Sequence, residues 1–577
     1  MRWTLKGLPA SPGTVVGPAW WYHKDTLQAT GESAGEPEKE RERLQQALAA
    51  ALAEIEYIIN RERELGRLND EDVAIFEAQR LMLQDPELAQ QVDAYIRRGM
   101  SAAAAWQEAT EAVAQQLAAL PDPYFQARAA DVRDIGQRVL AHLLGTPLSV
   151  EFPEHPVVVL ADDLMPSDTV RMDTEHVLAF CTARGGPTSH AAILARRLNI
   201  PAIVGLGDDL HRVRAGQQVL VDGDSGVLVV EPSAEEIRSV EKRRARRAQD
   251  EARARQQAFA PAITVDGFEV DVGANIGNLA DAQEAVRMGA DGVGLLRTEF
   301  LYLERNQAPT EEEQAEVYRA IFSALEGRPV VVRTLDVGGD KPLPYLPLPA
   351  EANPFLGMRA IRLARKHPEL LRTQLRAILR AGAGYPVRIM FPMVATVAEM
   401  RWLRSLVEEV AAELRARDIP LTKDLQVGMM VEIPSAAILA ERFCPWVDFF
   451  SVGTNDLSQY TLAADRTNAE VAALADGLHP AVLWLIRRVV EAAHAAGRWV
   501  GVCGEIAGEE IAVPVLLGLG VDELSMSPNR VPRIKALIRR VRIADAQVLA
   551  QHALTLAEAE EVRALVTSRT ADFLTSA

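Results

Sequence analysis

Apolar and polar positions fall into three textures along the chain. Residues 1–22 carry short β-branched and aromatic runs around a Ser-Pro-Gly turn at Ser11–Gly13, which predicts one or two short strands. From Glu36 the spacing changes. Leu44, Leu48, Leu52, Ile55 and Ile59 recur every three or four residues, the period of an amphipathic helix. Similar Ala-, Leu-, Glu- and Gln-rich stretches continue to about Leu144, broken at Pro86, Pro121 and Pro123, and predict roughly four helices. From Val157 short apolar runs ended by turn residues return: VVVLADDL, VLAFCT, AIVGL and QVLVDG. Strand-rich pieces on both sides of the helical block predict one α/β unit with a helical bundle inserted into it.

Ser233 and Glu236 have the spacing of a capping box. The run that follows has no Gly or Pro before Pro261 and is polar nearly all round, so it predicts a solvated helix bridging domains. Beyond Pro261 apolar strands alternate with helical patterns such as 399–416 and 481–497. Eight candidate strands lie near Glu269–Asn275, Gly292–Arg297, Val330–Leu335, Arg388–Met393, Gln426–Glu432, Asp448–Gly453, Trp499–Cys503 and Glu523–Met526. Eight such units in ~300 residues fit a (β/α)8 barrel. The expected organisation is a multi-domain α/β protein. An α/β domain takes residues 1–24 and 146–232, an inserted helical subdomain 25–145, a helical linker 233–260 and a (β/α)8 barrel 261–577.

Composition narrows the function classes. The chain has 577 residues, 62 Lys and Arg against 80 Asp and Glu, and a net charge of −18. That balance argues against wrapping nucleic acid or lying on an anionic membrane, both of which need a positive field. Three cysteines, with no CxxC pair, make neither a disulfide framework nor a zinc ribbon. The N-terminus lacks the apolar core of a signal peptide, and the longest nearly unbroken apolar run, Ile511 to Val521, is too short for a bilayer. The expectation is a cytoplasmic protein.

The most distinctive local string is RGGPTSHAAI at 184–193. Two glycines make a tight loop, Thr188 and Ser189 suit a helix N-cap, and Ala191 to Leu198 reads as a helix. His190 therefore falls in the first turn, where free backbone N–H groups and the helix dipole disfavour imidazolium and welcome a phosphoryl group. A lone histidine there is usually a cap or a surface residue; the surrounding string singles this one out. Beyond Pro261, polar residues gather where barrel strands end: Arg297, Arg333, Asp336, Lys341, Arg359, Glu432, Asn455, Asp456, Arg466, Cys503 and Glu505. The C-terminal ends of barrel strands share one mouth. Arginines there suit a carboxylate and a phosphate, Glu432 and Asp456 suit a hard divalent cation such as Mg2+, and Cys503 suits a general acid. Cys181 and Cys444 read as small buried hydrophobes. Gly292-x-Gly294-x-x-Arg297 lacks the third glycine of a dinucleotide fingerprint, and no GxxxxGK[ST] occurs, so GGDK at 338–341 is not a P-loop.

GGPTSHAAI resembles the phosphohistidine segment of enzymes that use phosphoenolpyruvate. With GLLRTEFLY, VEIPSAA and VGTNDLSQY, nearly the whole chain is similar to the enzyme I family of the bacterial phosphotransferase system. The resemblance implies a phosphohistidine α/β domain with an inserted bundle that docks the phosphocarrier protein HPr, then a phosphoenolpyruvate-binding barrel that forms the homodimer. It implies that His190 takes the phosphoryl group from phosphoenolpyruvate, Thr169 orients its imidazole and Cys503 protonates the enolate. Arg297, Arg333, Arg359, Lys341, Asn455 and Arg466 would hold substrate, and Glu432 and Asp456 would hold Mg2+. Two rivals are an ATP-using dikinase or synthase, which needs a nucleotide domain that residues 1–150 are too short and too helical to supply, and a non-catalytic regulatory protein. Pyruvate release on mixing with phosphoenolpyruvate separates the last from an enzyme.

Overall fold

The computed structural model describes residues 2–575 apart from 23–26, 30–34, 65–69, 120–122, 147–151, 165–175, 187–188, 199, 304, 339–342, 344, 347–350, 423–424 and 469–470. The chain divides into two compact units, residues 1–247 and 248–577.

In the first unit three strands precede the helices: β1 (Trp3–Lys6), β2 (Leu8–Ser11) and β3 (Thr14–Trp21). The sequence pattern suggested one or two. Gly7 separates the first pair, and a Cβ there would lie 2.6 Å from the Val204 carbonyl oxygen, so only glycine lets the chain step between partners. Five helices follow among the described residues: α1 (Pro37–Glu64), α2 (Asp70–Leu83), α3 (Pro86–Arg97), α4 (Ala102–Ala118) and α5 (Pro123–Leu144). Prolines 86 and 123 open helices rather than merely ending them, since the first turn needs no N–H from that position. Asp85 caps α3 by accepting the Glu87 N–H at 2.7 Å. Leu44, Ile55 and Ile59 of α1 are buried with Val92, Ile96, Trp106 and Ile135 in one helical core, as their spacing predicts.

The chain then returns through β4 (Val157–Ala161), β5 (Val177–Thr182), α6 (His190–Leu198), β6 (Ala202–Val204), β7 (Gln218–Asp222) and β8 (Val227–Val230). The sheet order is β1-β8-β7-β3-β4-β5-β6-β2. β3 and β4 pair in parallel, so the bundle is inserted between two neighbouring strands. Alternation sends Val158 and Leu160 to one face of the sheet and Val157, Val159 and Ala161 to the other. Burial on both faces is why β4 reads as an unbroken apolar run. The helix α7 (Ala234–Gln256) starts at a capping box in which Ser233 N donates to Glu236 at 2.8 Å and Ser233 Oγ accepts the Glu236 N–H at 3.2 Å.

The second unit is a closed parallel barrel of β10 (Glu269–Ile276), β11 (Gly292–Leu296), β12 (Val330–Arg333), β13 (Val387–Phe391), β14 (Gln426–Val431), β15 (Phe449–Val452), β16 (Trp499–Val502) and β17 (Glu523–Met526), with β10 pairing both β11 and β17. A short strand, β9 (Ala262–Ile263), pairs antiparallel with the start of β10. Inside the barrel Leu295, Val331, Met390, Met430, Phe449 and Cys503 pack together. Phe449 stacks on Trp499 with centroids 4.5 Å apart. Among the described residues no helix is long and apolar enough to cross a membrane.

Candidate active site

Two places carry the residues singled out above. In the first unit, β5 ends at Thr182, whose hydroxyl donates to the Arg184 carbonyl at 2.6 Å. Gly185 takes a left-handed φ of 93°, and Ser189 N donates to the Gly186 carbonyl at 2.9 Å to close the turn. The helix α6 begins at His190, as the string predicts. Its Ala191, Ala192, Leu194 and Ala195 are buried in one cluster with residues of β2, β5 and β6, which fixes the helix start relative to the sheet. The His190 side chain, Thr188 and Thr169 lie outside the described residues.

The second place is the mouth of the barrel. Arg333, the last residue of β12, donates through Nη2 to Glu299 Oε1 at 2.9 Å, and its Nη1 lies 3.5 Å from Asp336 Oδ2. Arg359 grips Asp336 with both arms, Nε to Oδ1 at 3.2 Å and Nη2 to Oδ2 at 2.9 Å. Its Nη1 reaches Asp456 Oδ1 at 3.3 Å and the Tyr460 hydroxyl at 3.1 Å. Arg466 Nη1 lies 3.6 Å from Asp456 Oδ2. Asp336 N also donates to Glu299 Oε1 at 3.0 Å. Arg333, Arg359, Glu299 and Asp336 are all buried, and neighbouring carboxylates push both guanidinium pKa values up despite burial. Asn455 and Glu505 bond reciprocally: Asn455 Nδ2 donates at 3.3 Å and its Oδ1 accepts the Glu505 N–H at 3.0 Å. Arg297 follows β11 with an exposed side chain. Lys341 lies outside the described residues.

The backbone is bent to make this set meet. Ala360 has φ 50° and ψ −124°, a conformation an L-residue adopts only under constraint. Gly338, at φ 101°, sits against the same segment, and a Cβ on it would lie 2.2 Å from the Met358 carbonyl oxygen. This close approach lays the Arg359 guanidinium on Asp336.

Glu432 directly follows β14 and accepts the Met393 N–H at 2.6 Å. Burial, helped by the Asp456 and Asp336 carboxylates and opposed by Arg333 and Arg359, pushes its pKa up to about 8. Crowded carboxylates in a buried mouth are the donor set a hard dication satisfies, and Glu432 and Asp456 fit Mg2+ in that sense. Among the described residues no group of three or more His, Cys, Asp or Glu side chains could hold a metal ion alone.

Cys503 follows β16 directly and is buried. Its thiol donates to the Val452 carbonyl at 3.7 Å. Burial pushes its pKa up to about 11, against the Arg333 charge and the Ser451 hydroxyl. A thiol in this place stays protonated at neutral pH and can give up a proton only to a strong base, such as an enolate carbon. Cys181 and Cys444 are buried free thiols.

The sequence reading passed over two members of this site. Glu299 lies two residues after Arg297 and holds Arg333 from a different strand end. Tyr460 lies one helical turn after Asp456, so an i, i+4 reading of TNDLSQY would have found it.

Comparison with known proteins agrees along the whole chain. One family, the PEP-utilising enzymes, matches in three consecutive parts: its N-terminal part over residues 6–128, its mobile domain over 153–226 and its PEP-binding domain over 251–543. The chain is 44% identical over 566 residues to a phosphoenolpyruvate-protein phosphotransferase of Priestia megaterium, covering 98% of both proteins. It is 43% identical over 565 residues to the protein of that name in Staphylococcus carnosus (strain TM300), covering 97% of this chain and 98% of that one. A multiphosphoryl transfer protein of Rhodobacter capsulatus is 46% identical over 566 residues, which are 97% of this chain and 67% of that protein.

Proposed function

The chain belongs to the phosphoenolpyruvate-utilising enzymes, and on that premise we propose that it is a phosphoenolpyruvate–protein phosphotransferase. It takes a phosphoryl group onto His190, releases pyruvate, and passes the group to a histidine of HPr in the first step of sugar uptake. The observation that carries this reading is the cluster at the barrel mouth: buried Arg333 and Arg359, Arg466, the Glu432 and Asp456 carboxylates, and the protonated Cys503 thiol. A small trianion needs that combination and a surface ion-pair network does not.

In this reading Arg297, Arg333, Arg359 and Arg466 hold the carboxylate and phosphate of the substrate, with Asn455 and Lys341 beside them. Their counter-charges, Glu299, Asp336 and Asp456, keep the guanidinium groups oriented before substrate arrives. Glu432 and Asp456 would hold Mg2+ with substrate oxygens and water. When bound, the ion offsets charge on the phosphoryl and enolate oxygens. The His190 imidazole, oriented by Thr169, attacks phosphorus. The P–O bond to the enol oxygen breaks, and Cys503 delivers its proton to the methylene carbon of the enolate to give pyruvate. HPr docks on the helical subdomain 25–145, and the barrel forms the homodimer. Three buried, unpaired cysteines suit a cytoplasmic enzyme.

The test is labelling of the purified full chain with phosphoenolpyruvate labelled at phosphorus, in the presence of Mg2+. An acid-labile, alkali-stable label is expected on the wild type and none on His190→Ala, which should still bind phosphoenolpyruvate. A label that survives His190→Ala, or a wild type that never acquires one, overturns the proposal.

A further inference from the structure

The charge that the reaction leaves on Cys503 has only two groups near enough to favour it, the Ser451 hydroxyl and the Arg333 guanidinium. When Cys503 protonates the enolate carbon, the S–H bond breaks, a C–H bond forms, and the electron pair stays on Sγ. The thiol of the resting enzyme donates to the Val452 carbonyl oxygen, which also accepts the Cys503 N–H at 3.0 Å. Once ionised, the sulfur faces that oxygen with nothing to donate. Cys503 is only 4% exposed, and the stacked rings of Phe449 and Trp499 lie one layer further down the same strands. Water therefore has little access to the thiolate, and a buried anion is costly unless neighbouring donors meet it.

Ser451 stands next to this sulfur. The side-chain period of β15 places Ser451 on the same inward face as Phe449, and that of β16 places Cys503 on the same face as Trp499. Ser451 pairs with Gly501 in the register, so the facing position carries no side chain, and the next inward group on β16 is the Cys503 thiol. The Ser451 side chain is 1% exposed, and its hydroxyl makes no hydrogen bond of ordinary geometry in the resting enzyme, although it lies close enough to the Cys503 sulfur to hold the thiol pKa down. A buried hydroxyl without a well-formed hydrogen bond is uncommon and calls for an explanation.

We propose that Ser451 is a positioning residue for the proton transfer: its hydroxyl turns to donate to the Cys503 thiolate as that charge forms. The interaction exists only after the proton has left, so it lowers the barrier to the transfer without strengthening substrate binding. Once pyruvate has left and the mouth readmits water, the thiolate regains a proton from it and the serine is released. Arg333 supports the same charge through space, while Glu432 and Glu523 oppose it. This inference rests on the reading of Cys503 as the proton donor.

The experiment uses the full-length chain with Ser451→Ala, Ser451→Thr and Cys503→Ser. Pyruvate release from phosphoenolpyruvate is measured at saturating and limiting substrate, and alkylation by iodoacetamide is followed against pH. The part of the alkylation lost in Cys503→Ser reports Cys503. Ser451→Ala should lower kcat about tenfold with KM unchanged, and should slow alkylation of Cys503 at a fixed pH several-fold. Ser451→Thr, which keeps the hydroxyl, should restore most of both. If Cys503→Ser turns over at the wild-type rate, the donor assignment fails. If Cys503→Ser is slow but Ser451→Ala leaves kcat unchanged, the role of Ser451 is refuted while the donor assignment stands. A kcat loss that threonine does not rescue also refutes it, since packing would then be the cause.

Discussion

Replacing Glu523 by glutamine should stabilise the barrel at pH 8 and have almost no effect at pH 4. Glu523 opens β17, at the end of the barrel away from the site, and its carboxyl points inside. A Cβ on Gly294 would lie 2.3 Å from its Oε1, and one on Gly501 3.2 Å from it, so two glycines make room for this acid. Its cationic neighbour, Arg388 Nη1, is 4.0 Å away and leans over the Trp499 ring. Burial is the main cause that pushes the Glu523 pKa up to about 7, with Asp271, Asp291 and Asp522 adding to it and Arg388 opposing. The folded value thus lies above the ordinary 4.5. Stability is fully present below pH 4.5 and is lost progressively as pH rises to about 7, because the unfolded chain ionises first. A tenfold difference in proton affinity between the folded and unfolded chain is worth about 1.4 kcal/mol, so the glutamate costs the native state about 3 kcal/mol by pH 8. Glutamine carries no such linkage. Urea unfolding of wild type and Glu523→Gln, followed by circular dichroism at pH 4, 6 and 8, should show the gap opening by about 3 kcal/mol across that range. Pyruvate release by the variant checks that the barrel is native. A gap that stays constant with pH would mean that the carboxyl ionises freely and that the glycine-lined niche does not desolvate it.

Two further substitutions probe the site itself. Asp336→Ala removes the carboxylate that Arg359 grips with both arms and leaves two buried guanidinium groups short of counter-charge. It should cost about 3–5 kcal/mol in urea unfolding and raise the KM for phosphoenolpyruvate, and wild-type values for both would remove Asp336 from its orienting role. Gly504→Ala would put a Cβ 1.8 Å from Thr454 Oγ1 and 2.7 Å from Thr454 N, beside Asn455 and Asp456. Backbone shift there should destabilise by about 1–3 kcal/mol and slow pyruvate release, and a variant with unchanged kcat would show that the 454–456 turn need not hold its place.

How much could be read in advance follows from the kind of signal each residue leaves. Most barrel strands were legible because they are short and buried on both faces, and several are ended by a polar residue at the mouth. VVVR before Thr334 and QVGMMV before Glu432 show this directly. The start of α6 at His190 was legible because the glycine turn and the helix pattern abut. β8 was passed over, although VLVV is as apolar as the runs read as strands. Glu299 was not legible, because its task is set by Arg333, 34 positions away, and no local period links a residue after one strand to the end of the next.

The same distinction explains why the substrate clamp and its counter-charges could not be separated from sequence. The strand-end rule brings Arg333, Asp336, Arg359 and Asp456 to one mouth but gives no pairing among them. Pairing follows from a cost. A guanidinium group buried as deeply as those of Arg333 and Arg359 cannot remain without carboxylates. The protein meets that cost with Glu299, Asp336 and Asp456: the shortest contacts, 2.9 Å, join Arg333 to Glu299 and Arg359 to Asp336, while Arg333 lies 3.5 Å from Asp336 and Asp456 lies 3.3 Å from Arg359 and 3.6 Å from Arg466. The short pairs hold the arginines in place, and on the proposed function the longer contacts are those an incoming carboxylate or phosphate would replace.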